Sequence, residues 1–296
     1  MTHFPMTALR SVDLTVPDLP AATAFYTDIW GLTVADQVAG CVWLRGTGTD
    51  PHLLALHAGD TAAIRSMTFR VAPDADPAAL LSAMVAHGGM TLHPLHAVDD
   101  HGGGMAGAVR DPRRRTIRLV QGDTAAAPLV PDRDRPERLA HVNINSVDVD
   151  ADARFFCDAL GFTLTDRSKM MAFVRTNDDH HSVVIADAPV ETLNHIAFQM
   201  ADWEGVMRAA GRMVDHQFPI GWGPGRHGPG DNVFTYFVDP FGFVIEYTAE
   251  VLQVDDRYRV GGPGDWIWPP GRTDQWGIAP PKTATCKAAQ LAIPFA

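Results

Sequence analysis

Hydrophobic and polar positions alternate over short runs of the chain, and each run leads into a segment with helical spacing. Val12, Leu14 and Val16 are separated by polar residues, which predicts a half-buried β-strand. Asp18 then stands in a helix N-cap position, and the apolar-periodic segment after it stops at Gly31. The pattern therefore predicts a strand that is followed directly by a helix.

This strand–helix unit occurs twice. Residues 11–32 read SVDLTVPDLPAATAFYTDIWGL, and they align without gaps to residues 141–162, HVNINSVDVDADARFFCDALGF. A shorter strand precedes a second helix in each half, and we predict these helices over residues 77–87 and 202–211. Each half closes on a strand after an Asp-Pro turn. We therefore expect an α+β fold of four βαβββ modules, arranged as two tandem halves.

The repeat and the composition between its copies predict the domain organisation. We expect domains over residues 1–125 and 138–250, joined by a Pro-, Ala- and Asp-rich linker over residues 126–137. Residues 251–296 lie outside the repeat and form a tail rich in proline and tryptophan. We expect this tail to be irregular and mostly non-helical, with its tryptophans packed on the second half or on a partner chain.

Charge and composition narrow the function classes. Lys and Arg number 24 against 35 Asp and Glu, for a net charge of −11. The one basic run, Arg113 to Arg115, is too short for a nucleic-acid surface, so we expect no nucleic-acid partner. No stretch reaches about 18 apolar residues, so no membrane span is expected. Residues 1–10 lack a secretion-signal pattern and the three cysteines show no CxxC spacing, which predicts a cytoplasmic protein.

Histidine is abundant, with 13 residues against only three lysines. At three matched strand positions the second half carries a metal-ligand residue type where the first half has none: His141 against Ser11, His195 against Ser66, and Glu246 against Arg118. Two histidines and one carboxylate form the facial ligand set of Fe(II) oxygenases. Each residue alone could be an ordinary core or strand-edge residue. Their joint occurrence at matched positions favours a metal site that only the C-terminal domain carries.

These residues resemble a known pattern. The stretch 225–247, GRHGPGDNVFTYFVDPFGFVIEY, keeps His227, Tyr236 and Glu246 at the spacing of a family signature. With His141 and His195 it resembles the vicinal oxygen chelate superfamily and, within it, the two-domain type I extradiol ring-cleavage dioxygenases. The resemblance covers roughly residues 7–250 and is strong from His141 onward.

The resemblance implies specific roles. His141, His195 and Glu246 would bind Fe(II), with Mn(II) as a possible replacement, and a substituted catechol and O₂ would be the substrates. His181 would be the catalytic histidine, with His180 as the alternative, and Tyr236 and His227 would contact the substrate oxygens. Many relatives assemble, so a homo-oligomer is expected. The loop after His227 departs from the family, which puts a role for Asp231 in doubt, and Arg226 is a candidate for binding a substrate carboxylate.

Further interpretations remain open. Aromatic and aliphatic residues of the second half could wall a substrate pocket or pack in the core, namely Phe173, Phe198, Phe218, Ile220 and Trp222. A glyoxalase-type lyase or isomerase would draw a fourth protein ligand from paired modules, and Ser11, Ser66 and Arg118 argue against such a symmetric site. A non-enzymatic binding module of the same fold would need no metal triad.

Overall fold

The computed structural model describes residues 4–296, so the first three residues of the expected N-terminal domain lie outside the described part. The first half contains eight strands: β1 (Met6–Val16), β2 (Thr33–Val38), β3 (Cys41–Arg45), β4 (Leu54–Ala58), β5 (Ala63–Val71), β6 (Met90–Ala97), β7 (Met105–Arg110) and β8 (Thr116–Gln121). Its helices are α1 (Leu19–Ala24), which continues into a π-helical turn (Phe25–Ile29), and α2 (Pro77–Ala86).

The second half repeats this order. Its strands are β9 (Arg138–Ser146), β10 (Thr163–Arg167), β11 (Met171–Arg175), β12 (Val183–Asp187), β13 (Thr192–Gln199), β14 (Trp222–Arg226), β15 (Val233–Val238) and β16 (Val244–Ala249). Its helices are α3 (Val149–Leu160) and α4 (Trp203–Asp215). The tail adds α5 (Ala284–Ala289) and the short strand β17 (Ile293–Pro294).

The two halves have the same sheet topology. The first sheet has the order β2-β3-β4-β1-β5-β8-β7-β6, and the second has β10-β11-β12-β9-β13-β16-β15-β14, with β17 beside β13. In each sheet two βαβββ modules join through one central antiparallel pair, β1 with β5 and β9 with β13. The predicted α+β fold of four modules in two tandem halves is therefore confirmed.

Aspartates start the helices of all four modules. The carboxylates of Asp18, Asp76, Asp148 and Asp202 each accept a hydrogen bond from a backbone N–H of the first turn. Such a cap satisfies an N–H group that has no partner inside the helix. Helix α3 ends at Gly161, whose φ of 70° is the left-handed conformation that glycine adopts at low cost. The cap predicted at Asp18 is confirmed, and Asp148, which aligns with it in the repeat, caps α3.

The predicted end of α4 at Gly211 is wrong. The helix continues to Asp215, because Gly211 keeps helical geometry and Met213 beyond it is buried on the apolar face. A glycine inside a helix costs about 1 kcal/mol relative to alanine, which a buried apolar side chain in the next turn offsets.

The halves share one hydrophobic core that supports the second sheet from behind. Trp30, just after the π-helical turn, stacks on Tyr247 of β16 with ring centroids 3.6 Å apart. The Tyr26 hydroxyl donates to Asp239 Oδ2 at 2.9 Å. Because side chains alternate along a strand, Tyr247 faces this core while its neighbour Glu246 faces the opposite side. The first half therefore braces the strand that carries the candidate ligand.

The tail packs on the second half of the same chain, which was one of the two arrangements expected for its tryptophans. It is mostly irregular, as predicted, apart from α5 and β17. Trp266 and Trp268 lie against the loop at Gly228, and Arg226 stacks over the ring of Trp276. Within residues 4–296, no helix has the length and apolar character needed to cross a membrane.

Candidate metal centre and its cavity

Strand register brings the three candidate ligands onto one face of the second sheet. His141 on β9 lies opposite Ala197 on β13, and Ala197 lies beside Glu246 on β16. His195 is two residues from Ala197 and therefore faces the same side. The small side chain of Ala197 leaves room between the longer ones. The first sheet has the same register, with Ser11 opposite Thr68 and Thr68 beside Arg118, so the matched positions inferred from the repeat are equivalent in space.

The three ligand atoms form a tight triangle. His141 Nε2 lies 3.1 Å from His195 Nε2 and 3.3 Å from Glu246 Oε2, and His195 Nε2 lies 3.1 Å from the same carboxylate oxygen. Adjacent ligands at right angles on metal bonds of about 2.1 Å would be about 3.0 Å apart. Glu246 Oε2 is buried and makes no hydrogen bond of good geometry within the described chain. The donor set therefore fits a divalent transition metal.

A hydrogen-bond network orients one of these histidines. His195 donates its Nδ1–H to Asn194 Oδ1 at 2.9 Å, which leaves Nε2 with a free lone pair. Asn194 donates in turn to Asn145 Oδ1 at 2.8 Å, and Gln290 of the tail donates to Asn194 Oδ1 at 2.6 Å. His141 Nδ1 is buried and has no partner among residues 4–296.

Burial and the facing side chains set the protonation of two of the ligands, His195 and Glu246. Burial lowers the pKa of His195 to about 4, so the imidazole is neutral at physiological pH. Burial alone would raise the pKa of the Glu246 carboxyl, but the facing histidines, His141 foremost, outweigh it and hold that pKa well below its usual range. Neutral imidazoles and an ionised carboxylate are the forms that bind a metal.

A cavity of about 260 Å³ opens onto this triangle. Its size is just below the range of about 300–1,000 Å³ for drug-sized ligands, which suits a small ring. Its apolar wall is made of Met170, Met171, Phe173, Trp222, Trp266 and Trp268. Of the five wall candidates from the sequence, Phe173 and Trp222 line the cavity. The other three pack in or against the hydrophobic core: Phe198, Phe218 and Ile220.

The two neighbouring histidines point in different directions. His181 lines the cavity, with its ring centroid 4.4 Å from that of His141. His180 is buried behind it, with Nε2 2.7 Å from Asp166 Oδ2 and Nδ1 3.0 Å from His181 Nδ1. Both rings are buried, but of the two only His181 lines the cavity. If His180 donates to Asp166, its Nδ1 accepts the His181 Nδ1–H, and His181 Nε2 keeps its lone pair.

Tyr236 and His227 form a second polar edge of the cavity. The Tyr236 hydroxyl lies 2.9 Å from His227 Nε2, and the His227 ring stacks on Phe234 with centroids 3.9 Å apart. Burial raises the pKa of Tyr236 well above its usual value and lowers the pKa of His227. Both groups are therefore uncharged at neutral pH, and the phenol keeps a proton to donate.

The loop after His227 approaches His181 closely. Gly230 has φ +82°, and a Cβ at this position would lie 2.7 Å from His181 Cε1, so glycine is required. Asp231 receives hydrogen bonds from Arg226 and Gln275, and Arg226 also pairs with Glu250. Neither Arg226 nor Asp231 lines the cavity, so Arg226 is not placed to bind a substrate carboxylate there.

Several residues around the cavity were missed from the sequence. Lys282 and Gln290 come from the tail and line the cavity, and Asn194 and Asp166 hold histidines from behind. The scarcity of lysine was the one available signal, because Lys169 and Lys282 are two of only three lysines and both line this cavity.

The fold and the site together define a protein of two tandem βαβββ pairs with a two-histidine, one-carboxylate group on its second sheet. The family model described as the glyoxalase/bleomycin resistance protein/dioxygenase superfamily matches residues 8–119 and 138–247. The chain belongs to this superfamily.

Curated relatives and a solved structure agree with that placement. The chain is 34% identical to metapyrocatechase 2 of Cupriavidus necator over 46% of its own length, but that match spans only 41% of the relative. It is 25% identical to metapyrocatechase of Pseudomonas sp. (strain CF600), over 78% of the chain and 82% of the relative. The Mn(II)-bound glyoxalase from Novosphingobium aromaticivorans superposes with a TM-score of 0.89 at 31% identity, covering 96% and 94% of the two chains.

Metal usage differs among these proteins. A relative from Rhodococcus jostii (strain RHA1), 26% identical over 40% of this chain and 45% of its own, is named an iron-dependent extradiol dioxygenase. The resemblance to extradiol dioxygenases inferred from the residues is confirmed by these matches. They include both iron and manganese proteins, so the metal is not determined by similarity.

Proposed function

We propose that this protein is an extradiol dioxygenase that cleaves the ring of a substituted catechol with O₂ at a mononuclear Fe(II) site, which Mn(II) could also fill. The observation that carries the proposal is the triangle of His141, His195 and Glu246, which opens onto a small aromatic cavity that His181 and Tyr236 also line. The curated relatives named as extradiol enzymes support the reaction class.

The chain's own groups have separable tasks. A divalent metal in the triangle would supply a Lewis-acid site at which both catechol oxygens and O₂ can be held together. His181 is neutral because burial holds its pKa well below the usual range. It can accept or return a proton through Nε2. Tyr236 can donate its hydroxyl proton to a substrate oxygen, and His227 orients that hydroxyl. The tryptophan walls limit access of water.

A glyoxalase-type lyase or isomerase is the second candidate, because the Novosphingobium protein is named a glyoxalase. Such sites generally take a fourth protein ligand from paired modules. Here the group of metal-ligand residues within the described chain has three members, and the matched residues of the first sheet are Ser11, Ser66 and Arg118. The set of His181, Tyr236 and His227 on the cavity favours the dioxygenase.

Oxygen consumption separates the two candidates. Protein reconstituted anaerobically with Fe(II), and separately with Mn(II), is mixed with alkyl- and aryl-catechols and then exposed to air. We expect O₂ uptake with stoichiometric formation of a yellow ring-opened product. Full metal loading without O₂ uptake for any catechol would refute the dioxygenase, and turnover of a 2-oxoaldehyde–thiol adduct under anaerobic conditions would favour the lyase or isomerase.

Other expectations remain predictions. The assignment of the metal to the C-terminal domain, the domain boundaries and a homo-oligomeric state follow from the sequence and the family resemblance. A cytoplasmic location rests on the cysteine pattern and the sequence of residues 1–10 alone.

A further inference from the structure

Lysine side chains converge on the cavity. The chain has three lysines in a protein of net charge −11, and two of them, Lys169 and Lys282, line the cavity beside the metal centre. Lys169 is exposed at the rim, whereas Lys282 is half-buried. The third, Lys287, is exposed on α5 and does not line the cavity. Positive charge is therefore concentrated where a ligand would sit.

Lys282 forms no salt bridge among residues 4–296, and its direct contacts are to an amide and two aromatic rings. Its Nζ donates to Gln290 Oε1 at 2.7 Å and lies over the rings of Trp222 and Tyr236, 4.5 Å and 5.6 Å from their centroids. No Asp or Glu of the described chain is among the residues that line this cavity. A partly desolvated ammonium group with amide and aromatic partners retains a strong affinity for an anion.

The position of this ammonium group is tied to the metal centre. Gln290 accepts from Lys282 through Oε1 and donates through Nε2 to Asn194 Oδ1, the atom that also accepts the Nδ1–H of the candidate ligand His195. Thr283, next to Lys282, caps α5 and donates its backbone N–H to Gly221 O at 2.9 Å. Lys282 is therefore held at a set place relative to any ring bound at the metal.

We propose that the substrate is a catechol bearing a carboxylate substituent, and that Lys282 is the specificity-determining residue that binds this carboxylate. The inference rests on the proposed function, because it assumes that a catechol occupies the cavity. The aromatic walls would hold the ring, and the ammonium group would select the anionic side chain over a neutral one of equal size. Lys169 at the rim would attract the anion toward the entrance.

Matched substrates and variants test the inference. The measured quantity is kcat/KM from O₂ uptake for 3,4-dihydroxyphenylacetate against its neutral amide, and for 2,3-dihydroxyphenylacetate against its neutral amide. Lys282→Met removes the charge but keeps the apolar stem, Lys282→Arg keeps the charge, and Lys287→Met, on the neighbouring helix α5 and outside the cavity, is the control. We expect Lys282→Met to lower kcat/KM for the preferred acid about 10- to 100-fold, mainly through KM, with little change for its neutral partner.

The remaining variants sharpen the result. Lys282→Arg should retain most of the preference for the acid, and Lys287→Met should match the wild type. An equal loss for acid and neutral substrate in Lys282→Met would overturn the inference, because the charge would then act on the catechol oxygens. An unchanged preference for the acid, or no preference in the wild type for either pair, would overturn it as well.

A binding measurement keeps this inference distinct from the proposed function. Metal-free protein is titrated with the same acids and amides by quenching of tryptophan fluorescence, since three tryptophans line the cavity. We expect the preferred acid to bind about tenfold tighter than its neutral partner, and Lys282→Met to abolish the difference. If the wild type turns over no catechol but shows this selectivity, the proposed reaction fails and the anion site stands. Equal binding of acid and neutral ligand would refute the anion site.

Discussion

The buried chain from Asp166 through His180 to His181 leads to a sharp prediction about the substitution Asp166→Asn. Asp166 Oδ1 accepts the backbone N–H of Gly261 at 2.6 Å, and Oδ2 accepts from His180 Nε2 at 2.7 Å. In the variant the amide oxygen must face Gly261, because a backbone N–H can only donate. The amide NH₂ group then faces His180 and donates to its Nε2. His180 therefore carries its proton on Nδ1 and donates to His181, whose remaining proton moves to Nε2.

The magnitude follows from the burial of these groups. Asp166 and His180 are fully buried, so restoring the original tautomer in the variant would leave two buried donors, His180 Nε2–H and the amide NH₂, facing each other without an acceptor. Hydrogen bonds to charged groups contribute about 1.5–3 kcal/mol, which corresponds to about 10- to 150-fold in the population of the productive tautomer. We expect kcat of Asp166→Asn to fall by about this factor, while the bound metal and KM for the catechol stay near the wild-type values.

Kinetics and nitrogen NMR together check this reasoning. The tautomers of His180 and His181 are assigned from ¹⁵N shifts of histidine-labelled, metal-free protein, and kcat is measured with saturating catechol and O₂. Tyr258→Phe is the matched control, because it removes the other contact to Asp166 Oδ2, at 3.2 Å, and keeps the carboxylate. A flipped His181 tautomer with unchanged kcat would show that Nε2 is not the proton acceptor. Wild-type tautomers in the variant would refute the polarity assigned to the chain.

Three further outcomes are expected. His195→Ala should lose the metal, as measured by elemental analysis, and retained metal in this variant would contradict the ligand assignment. His181→Ala should retain the metal and lose about 100-fold or more in kcat, as measured by O₂ uptake. Gly211→Ala should raise the free energy of unfolding by about 0.5–1 kcal/mol in urea titrations, because a Cβ there meets nothing within 4 Å. A lower stability of this variant would refute the helical geometry at Gly211. Metal-free protein should lose stability as the pH falls from about 6.5 to about 4, because the unfolded chain protonates His195 before the folded protein does. The free energy of unfolding is measured against pH, with the metal-loaded protein as control. A constant value over this range in the metal-free protein would contradict the neutral buried imidazole.

Local patterns predicted the modules well because their causes are local. The alternation at Val12, Leu14 and Val16, with a capping carboxylate at Asp18, depends on neighbours within a few residues. The wrong prediction at Gly211 also came from a local pattern, because a glycine considered alone predicts a helix end. In the structure the burial of Met213 stabilises a further turn of the helix.

Part of the candidate site could likewise be predicted from the sequence, and part of it depends on tertiary packing. The repeat by itself determined that His141, His195 and Glu246 occupy equivalent strand positions, because strand register carries equal positions to one face of each sheet. Which of two adjacent histidines faces the cavity depends on Asp166, which lies on β10. The cation beside the metal centre depends on how an irregular tail folds back to place Lys282. Such contacts join residues far apart in the chain and leave no periodic trace, so only tertiary packing decided them.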